Sequence, residues 1–328
     1  MADYTIFRLT NLTPLHIGTG KENYDFSSDE LSSDTISAAL ASVRARQGKT
    51  DKIDTFLQSF TISSAFPFIG DVLFLPRPMG RLAISVKDME EHQYRKELKK
   101  VKYIELSLWR DLVNGKHINI NHSQINKEFI LPDSLDSMSS PSSKQVIQRV
   151  TINRDIQKTE PFFFEWQYFS PSSGLFFIIN ADKDVLEELF QLAISLGETG
   201  LGTDKNIGGG KFQVEQATIS LSNAPNPTDS MLLSTYIPTE EEMPLINLQT
   251  ATYSILQRNG YIAGSEIDKF QHLRKKSIYM FNTGSSFKTL VPLEGKVVDL
   301  RPDWNDATLH SVFRSGKPFV IQIHKDVL

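Results

Sequence analysis

The 328 residues include no cysteine, which excludes disulfides, thiol nucleophiles and cysteine-ligated zinc and fits a reducing compartment such as a bacterial-type cytoplasm. With 40% hydrophobic side chains the chain can bury one large core or two medium ones, so two domains are expected. The formal charge of -4, from 35 basic and 39 acidic residues, is not that of a free-standing nucleic-acid binder. The charges are segregated, however: Arg95, Lys96, Lys99, Lys100 and Lys102 form a basic run with helical spacing, and Glu240, Glu241 and Glu242 an acidic one. A basic groove with an acidic remainder suits a subunit embedded in a larger complex. The start has no basic region leading into an apolar run, so no signal peptide is expected. The apolar runs at 162–164 and 175–179 are far shorter than the roughly 20 residues of a membrane helix.

In chain order, alternation predicts a strand over 4–12. Helical spacing of Ile36, Ala39, Leu40 and Val43 then predicts a helix over 34–46, with N-cap chemistry from Ser32, Ser33 and Asp34. A second short helix over 52–60 leads to strands at 61–65 and 71–75, split by Phe66-Pro67-Phe68 and Gly70. An insertion of about 79–161 follows, carrying the basic run and the low-complexity stretch 133–143; insertions of this size are functional or mobile. Segments 162–169 and 174–180 read as a hairpin turned at 170–173. Val185, Leu186, Leu189, Phe190, Ala193 and Leu196 mark an amphipathic helix ending at Gly197, and 211–221 alternates as a strand. Strand, helix, strand, strand, helix, strand is the ferredoxin-like arrangement, shared with RNA-recognition modules. The linker 222–228 leads to a second α+β domain over 229–328, with strands at 252–256, 277–281, 296–300 and 319–323.

The segment GETGLGTDKNIGGGKF holds six glycines, Gly197, Gly200, Gly202, Gly208, Gly209 and Gly210, so its backbone can take positive φ and approach another backbone closely. Successive amides in such a loop form an anion-binding concavity, to which Lys205 and Lys211 add charge. A dinucleotide fingerprint needs strand, glycine loop, helix; here the order is helix, loop, strand, and Lys205 stands at the third glycine position. A P-loop fails as well, because Phe212 follows Gly210-Lys211. No cofactor is expected. His117 and His122 would point to opposite faces of an extended stretch, so no metal is expected either.

These motifs resemble those of a known family, the fourth Csm subunit of type III-A CRISPR effector complexes, a member of the RAMP superfamily. The similarity runs almost end to end: Leu15-His16-Ile17-Gly18-Thr19-Gly20; Ser33-Asp34-Thr35-Ile36; Phe66-Pro67-Phe68 with Phe74-Leu75-Pro76-Arg77-Pro78; Lys99-Lys100-Val101-Lys102-Tyr103-Ile104; Ile152-Asn153-Arg154; the 200–212 loop; Arg258-Asn259-Gly260-Tyr261; Lys275-Lys276-Ser277-Ile278-Tyr279-Met280-Phe281; Gly284-Ser285-Ser286-Phe287; and Phe313-Arg314-Ser315-Gly316. The resemblance implies an α+β chain of two ferredoxin-like (RRM-like, RAMP) domains, 1–221 with the insertion and glycine-rich loop, and 229–328. It further implies a non-catalytic, cytoplasmic RNA-binding subunit that holds the 5′ handle of the crRNA near the target RNA. Such a subunit joins the large polymerase-like subunit to the backbone RAMP subunits. Asp204 and Asn206 depart from the more basic or small residues of that pattern.

The residues expected to touch RNA are His16, Gly18, Gly20, Lys21, Ser33, Asp34, Arg154, Gly200, Gly202, Thr203, Lys205, Asn206, Gly208, Gly209, Gly210, Lys211 and Arg258. Lys275, Lys276 and Arg314 are weaker candidates. His16 admits an alternative, a metal-independent RAMP endoribonuclease in which it is the general base; a turn histidine bonded to backbone or RNA is the structural reading. Asp34 sits where capping explains it, and its helix N-terminus would join the phosphate site if it faced the glycine loop. A scaffold that touches only proteins is a third possibility, favoured by the net negative charge.

Overall fold

The computed structural model describes residues 2–18, 24–134, 140–153, 158–221, 223–262, 270, 273–303 and 308–325. Strand β1 (Ala2–Thr10) forms because its side chains alternate between two cores. Phe7 and Leu9 face one core, Ile6 the other. Next come α1 (Ser33–Arg46), α2 (Ile53–Gln58), β2 (Phe60–Ile62), β3 (Phe66–Ile69) and β4 (Val72–Pro76). Phe66-Pro67-Phe68 is thus a strand and not a break; Phe66 and Phe68 bury in the second core, and Phe68 pairs with Leu73.

The insertion folds over 84–130 as β5 (Ile84–Val86), α3 (Glu91–Leu98), β6 (Tyr103–Glu105), α4 (Leu106–Val113), β7 (Ile118–Ile120), β8 (Ile125–Asn126) and β9 (Phe129–Ile130). Its anchor is the buried Trp109, whose indole N–H donates to the Pro76 carbonyl at 2.8 Å. Helix α3 ends at Leu98, so the basic run is not one helical face: Arg95 pairs with Glu91, and Lys102 with Asp29 and Glu128.

A long antiparallel hairpin follows, β10 (Ser142–Asn153) with β11 (Lys158–Phe169). This corrects the expected pairing of 162–169 with 174–180. Strand β12 (Ser173–Ala181) pairs with β1, β2 and β3 instead. Helix α5 (Lys183–Thr199) runs past Gly197, where a Cβ would lie 2.3 Å from the Phe212 carbonyl oxygen, so only glycine fits. Strand β13 (Gln213–Leu221) closes this part along β1.

The central sheet has the order β13-β1-β12-β3-β4-β6-β9-β8, with β2 also on β12. Helices α1, α2 and α5 cover one face; the insertion and the C-terminal part contribute to the core on the other. Burial on both faces explains the unbroken apolar run of β12, in which Leu175, Phe177 and Ile179 face the helices and Phe176 and Ile178 the opposite core.

The C-terminal part comprises β14 (Asp229–Leu232), β15 (Ile255–Arg258), β16 (Ile278–Phe281), β17 (Ser286–Phe287), β18 (Val297–Asp299), β19 (Phe313–Ser315) and β20 (Val320–Ile323). Its described strands form three separate antiparallel ladders, β17-β14-β20, β15-β16 and β18-β19. Met231, Leu233, Phe319, Ile321 and Ile323 share a core with Ile6, Phe66 and Ile178, so packing crosses the linker. No helix of the described residues is long and apolar enough to cross a membrane.

Candidate functional site

The glycine loop is built against the turn after β1 and the base of the long hairpin. The amide of Thr203 donates to the His16 carbonyl, that of Gly210 to Pro14 and that of Leu201 to Gly210. The amides of Gly200, Ile207, Gly208, Gly209 and Phe212 donate to backbone carbonyls too, and that of Lys211 to the Thr13 hydroxyl at 2.7 Å. These nine donors are spent within the protein and are not free to bind an anion. A Cβ would lie 1.9 Å from the Leu201 oxygen at Gly210, 2.2 Å from the His16 oxygen at Gly202 and 2.5 Å from the Gly209 oxygen at Gly200. At Gly209 it would meet the Trp166 ring at 2.6 Å, whereas at Gly208 it would meet nothing within 4 Å. The glycines therefore permit backbone-on-backbone packing. Gly208, Asn206, the side chain of Lys211 and Gly18 remain on the surface or half-buried.

His16 is buried among rings. Its Nδ1–H donates to the Glu165 carbonyl at 2.8 Å, and its ring centroid lies 4.4 Å from that of Phe164. Nε2 is enclosed without a partner, and burial lowers the pKa of the imidazole. The Arg149 guanidinium stacks over Phe164 and Trp166, at 4.4 and 5.4 Å from their centroids, and pairs with Asp204 of the glycine loop. Lys144 lies 5.0 Å from the Phe26 centroid, pairs with Asp29 and is 3.3 Å from the Glu165 carboxylate. Beside these cations two rings stand open to solvent, Tyr24, stacked on Phe164 and 49% exposed, and Phe26, 52% exposed; Phe163, 53% exposed, points to the opposite face of β11 from Phe164. Sequence reasoning missed these residues. The run Phe162-Phe163-Phe164 carried the one available signal, because adjacent strand residues point to opposite faces and a two-stranded ladder cannot bury all three.

Asp34 belongs elsewhere. It is fully buried in the first turn of α1, behind the cap residue Ser32, and faces the C-terminal part and not the glycine loop. Its Oδ2 accepts from Arg258 Nε at 2.9 Å and contacts the Arg314 guanidinium; the Thr235 hydroxyl reaches its Oδ1 at 3.4 Å. Arg258 also donates to the Thr35 hydroxyl. Ser33 takes the amide of Thr235 at 3.0 Å and hydrogen-bonds with the Thr235 hydroxyl. Burial pushes both arginines down to about 10. Lys275 is pushed down to about 8, by burial and then by the charge of Arg258. Lys205 is lowered by burial and by Arg46, at the opposite end of α1 from Asp34.

The expected residues thus divide. His16, Gly18, Gly200, Gly202, Thr203, Lys205, Asn206, Gly208, Gly209, Gly210 and Lys211 lie in or against the loop region, while Ser33, Asp34 and Arg258 form a second cluster. Gly20, Lys21 and Arg154 fall outside the described residues. Among the described residues no group of histidines and carboxylates is arranged to hold a metal.

Residues 8–213 match the RAMP superfamily and residues 226–323 the CRISPR Csm4 C-terminal domain. A CRISPR system protein Csm4 of Thermococcus onnurineus (strain NA1) is 24% identical over 256 residues, covering 76% of this chain and 80% of its own. The fold is shared with a chain of the Csm3-Csm4 subcomplex of a type III-A CRISPR-Cas interference complex, at TM-score 0.65, 17% identity and 99% and 100% coverage of this chain and that one. It is shared also with a chain of the Csm1-Csm4 cassette in complex with cA4, at TM-score 0.63, 18% identity and 98% coverage of each. The chain belongs to the RAMP superfamily, in which it is a Csm4-type subunit of CRISPR systems.

Proposed function

We propose that the chain is a non-catalytic, cytoplasmic subunit of a type III-A Csm complex that holds the 5′ handle of the crRNA and joins the large polymerase-like subunit to the backbone RAMP subunits, close to the target RNA. The observation that carries the RNA reading is the pair of solvent-open rings Tyr24 and Phe26 beside Lys144 and Arg149. Aromatic faces beside cations are how single-stranded RNA is gripped without reading every base. The antiparallel order β13-β1-β12-β3, with α1 and α5 on one face, supports a ferredoxin-like reading of the N-terminal part. The partner reading rests on the solved Csm3-Csm4 and Csm1-Csm4 assemblies, whose Csm4 chains this fold resembles.

The absence of a reaction of its own is supported by the two residues best suited to one. His16 is 1% exposed with Nδ1 committed to a carbonyl, and Asp34 is fully buried between two arginines. Neither is placed to reach a ribose 2′-hydroxyl. Incubating the chain with labelled handle RNA in EDTA tests both halves. Binding with the RNA left intact is expected, and Tyr24→Ala is expected to weaken it. Cleavage that disappears in His16→Ala would replace this reading with the nuclease one.

A further inference from the structure

Where the insertion meets the C-terminal part, the fold forms a cavity of about 300 Å³. No residue of the long hairpin or of the Asp34–Arg258–Arg314 cluster lines it. Its walls come from β3, β4, β6, the residues after α3 and the turn at 282–283, and the exposed Gly80 and Lys99 stand at its edge. The Ser64 hydroxyl hydrogen-bonds with that of Thr283 at 2.9 Å, which fixes the wall supplied by the C-terminal part to the N-terminal part.

Two half-buried charged side chains line this cavity without a counter-ion. Glu30 forms no ion pair among the described residues; its carboxylate accepts from the Asn282 amide, whose own oxygen takes the Thr283 N–H at 2.9 Å. Lys102, the one cation that acts on Glu30, is already bonded to Asp29 at 2.6 Å and to Glu128 at 2.7 Å. Arg77 donates from Nη1 to the Leu98 carbonyl at 2.5 Å and from Nη2 to that of Gly80 at 2.9 Å, and among the described residues no carboxylate acts on it. These bonds leave part of its donor fork unused. Neither charge figures among the influences on the other, so both face the cavity without neutralising each other. Burial raises the pKa of the Glu30 carboxyl and lowers that of the Arg77 guanidinium, as it does for charges held without partners.

The lining also says what the guest is not. Phe66 is 2% exposed, and Tyr103 is 8% exposed and stacked on Phe129, so the cavity offers no open ring face to a nucleobase, in contrast to Tyr24 and Phe26. A guanidinium fork suits a carboxylate, and a carboxylate beside a side-chain amide suits an ammonium. Phe66, Met79 and Val101 supply apolar wall for a short chain between the two. The volume is at the low end of small-molecule sites and takes a ligand of about amino-acid size. We propose that this cavity binds a free small aminocarboxylate, with its ammonium on Glu30 and its carboxylate on Arg77. The site is independent of the RNA reading and adds a small-molecule ligand to it.

The test titrates the full chain with a homologous series, glycine, β-alanine, γ-aminobutyrate and 6-aminohexanoate, following the Glu30 carboxyl and the Arg77 Nε–H by NMR. Butylamine and butyrate, which carry one charge each, are the controls. One chain length is expected to bind saturably, about tenfold more tightly than either control, and to lower the Glu30 pKa as its ammonium arrives. Glu30→Gln, which keeps an acceptor for Asn282 and so preserves the wall, is expected to weaken that binding about tenfold. Titrations that do not saturate, binding no tighter than the controls, or an unchanged affinity in Glu30→Gln would overturn the site. Displacement of the bound aminocarboxylate by handle RNA or by a partner subunit, with shifts at the same two signals, would assign the cavity to that macromolecule and likewise overturn it. Each of these failures leaves RNA binding at Tyr24 and Phe26 intact, and loss of RNA binding in Tyr24→Ala with an unchanged titration leaves the cavity site intact.

Discussion

The glycine loop and the Asp34 cluster answer the same question, where an anion could be held, in opposite ways. The loop has the composition of an anion cradle, yet many of its amides bond within the protein, to Pro14, His16, Gly197, Asp204, Lys205 and Gly210, and five of its six glycines are required by contacts with protein backbone or a ring within 2.6 Å of where a Cβ would lie. The cluster has the composition of a helix start, yet it gathers two arginines on one buried carboxylate. Glycine content reports how closely backbones approach, whereas anion affinity depends on donors left without acceptors.

Perturbing each region should sharpen that contrast. The largest effect is expected for Asp34→Ala, which leaves the buried Arg258 and Arg314 without their carboxylate; unfolding by denaturant should show a loss of about 3–5 kcal/mol. A loss under about 1 kcal/mol would mean that Asp34 is dispensable and that the two arginines are held otherwise. Next comes the loop: Gly210→Ala places a Cβ 1.9 Å from the Leu201 oxygen and should cost about 2–3 kcal/mol. Gly208→Ala, in open space but at φ +89, should cost only about 1 kcal/mol. Equal costs would contradict the packing account of the loop.

A smaller effect is expected on RNA affinity from Tyr24→Ala, a weakening of about tenfold with little change in stability, read by fluorescence anisotropy. The smallest is the acid response of His16. Its pKa is lowered on folding, so the unfolded chain takes up the proton more readily, and the stability that the neutral ring contributes is present above pH 6.5 and lost below it. Urea midpoints between pH 7 and 5 should fall less steeply in His16→Gln than in the parent; parallel profiles would show that the ring does not titrate between the two states.

What could be read from the sequence follows the strength of each local signal. Strands β1 and β13 and helices α1 and α5 were legible because burial on one or both faces imposes period 2 or 3.6 on many residues. Strand β10 was not, since its lysine, arginine, glutamines and exposed Val146 and Val150 give no buried stripe, and β11 was consequently paired with the wrong neighbour. Phe66-Pro67-Phe68 was read as a break because of its proline, although the strand is fixed by two buried rings. The division of the site was illegible for another reason: Asp34 meets Arg258 across 224 residues, and nothing local to Ser-Ser-Asp distinguishes a capping aspartate from one held by two arginines. Lys275 and Arg314 were recognisable as candidates only through the resemblance of their motifs, which carries no geometry.

The central claim, that this RAMP subunit holds the crRNA handle without cutting it, is tested most directly by photocrosslinking the handle to the chain in a reconstituted complex and mapping the linked peptides. The account predicts crosslinks at Tyr24 or Phe26, with the RNA recovered at full length. Crosslinks confined to the 200–211 loop, or none to this chain at all, would contradict it.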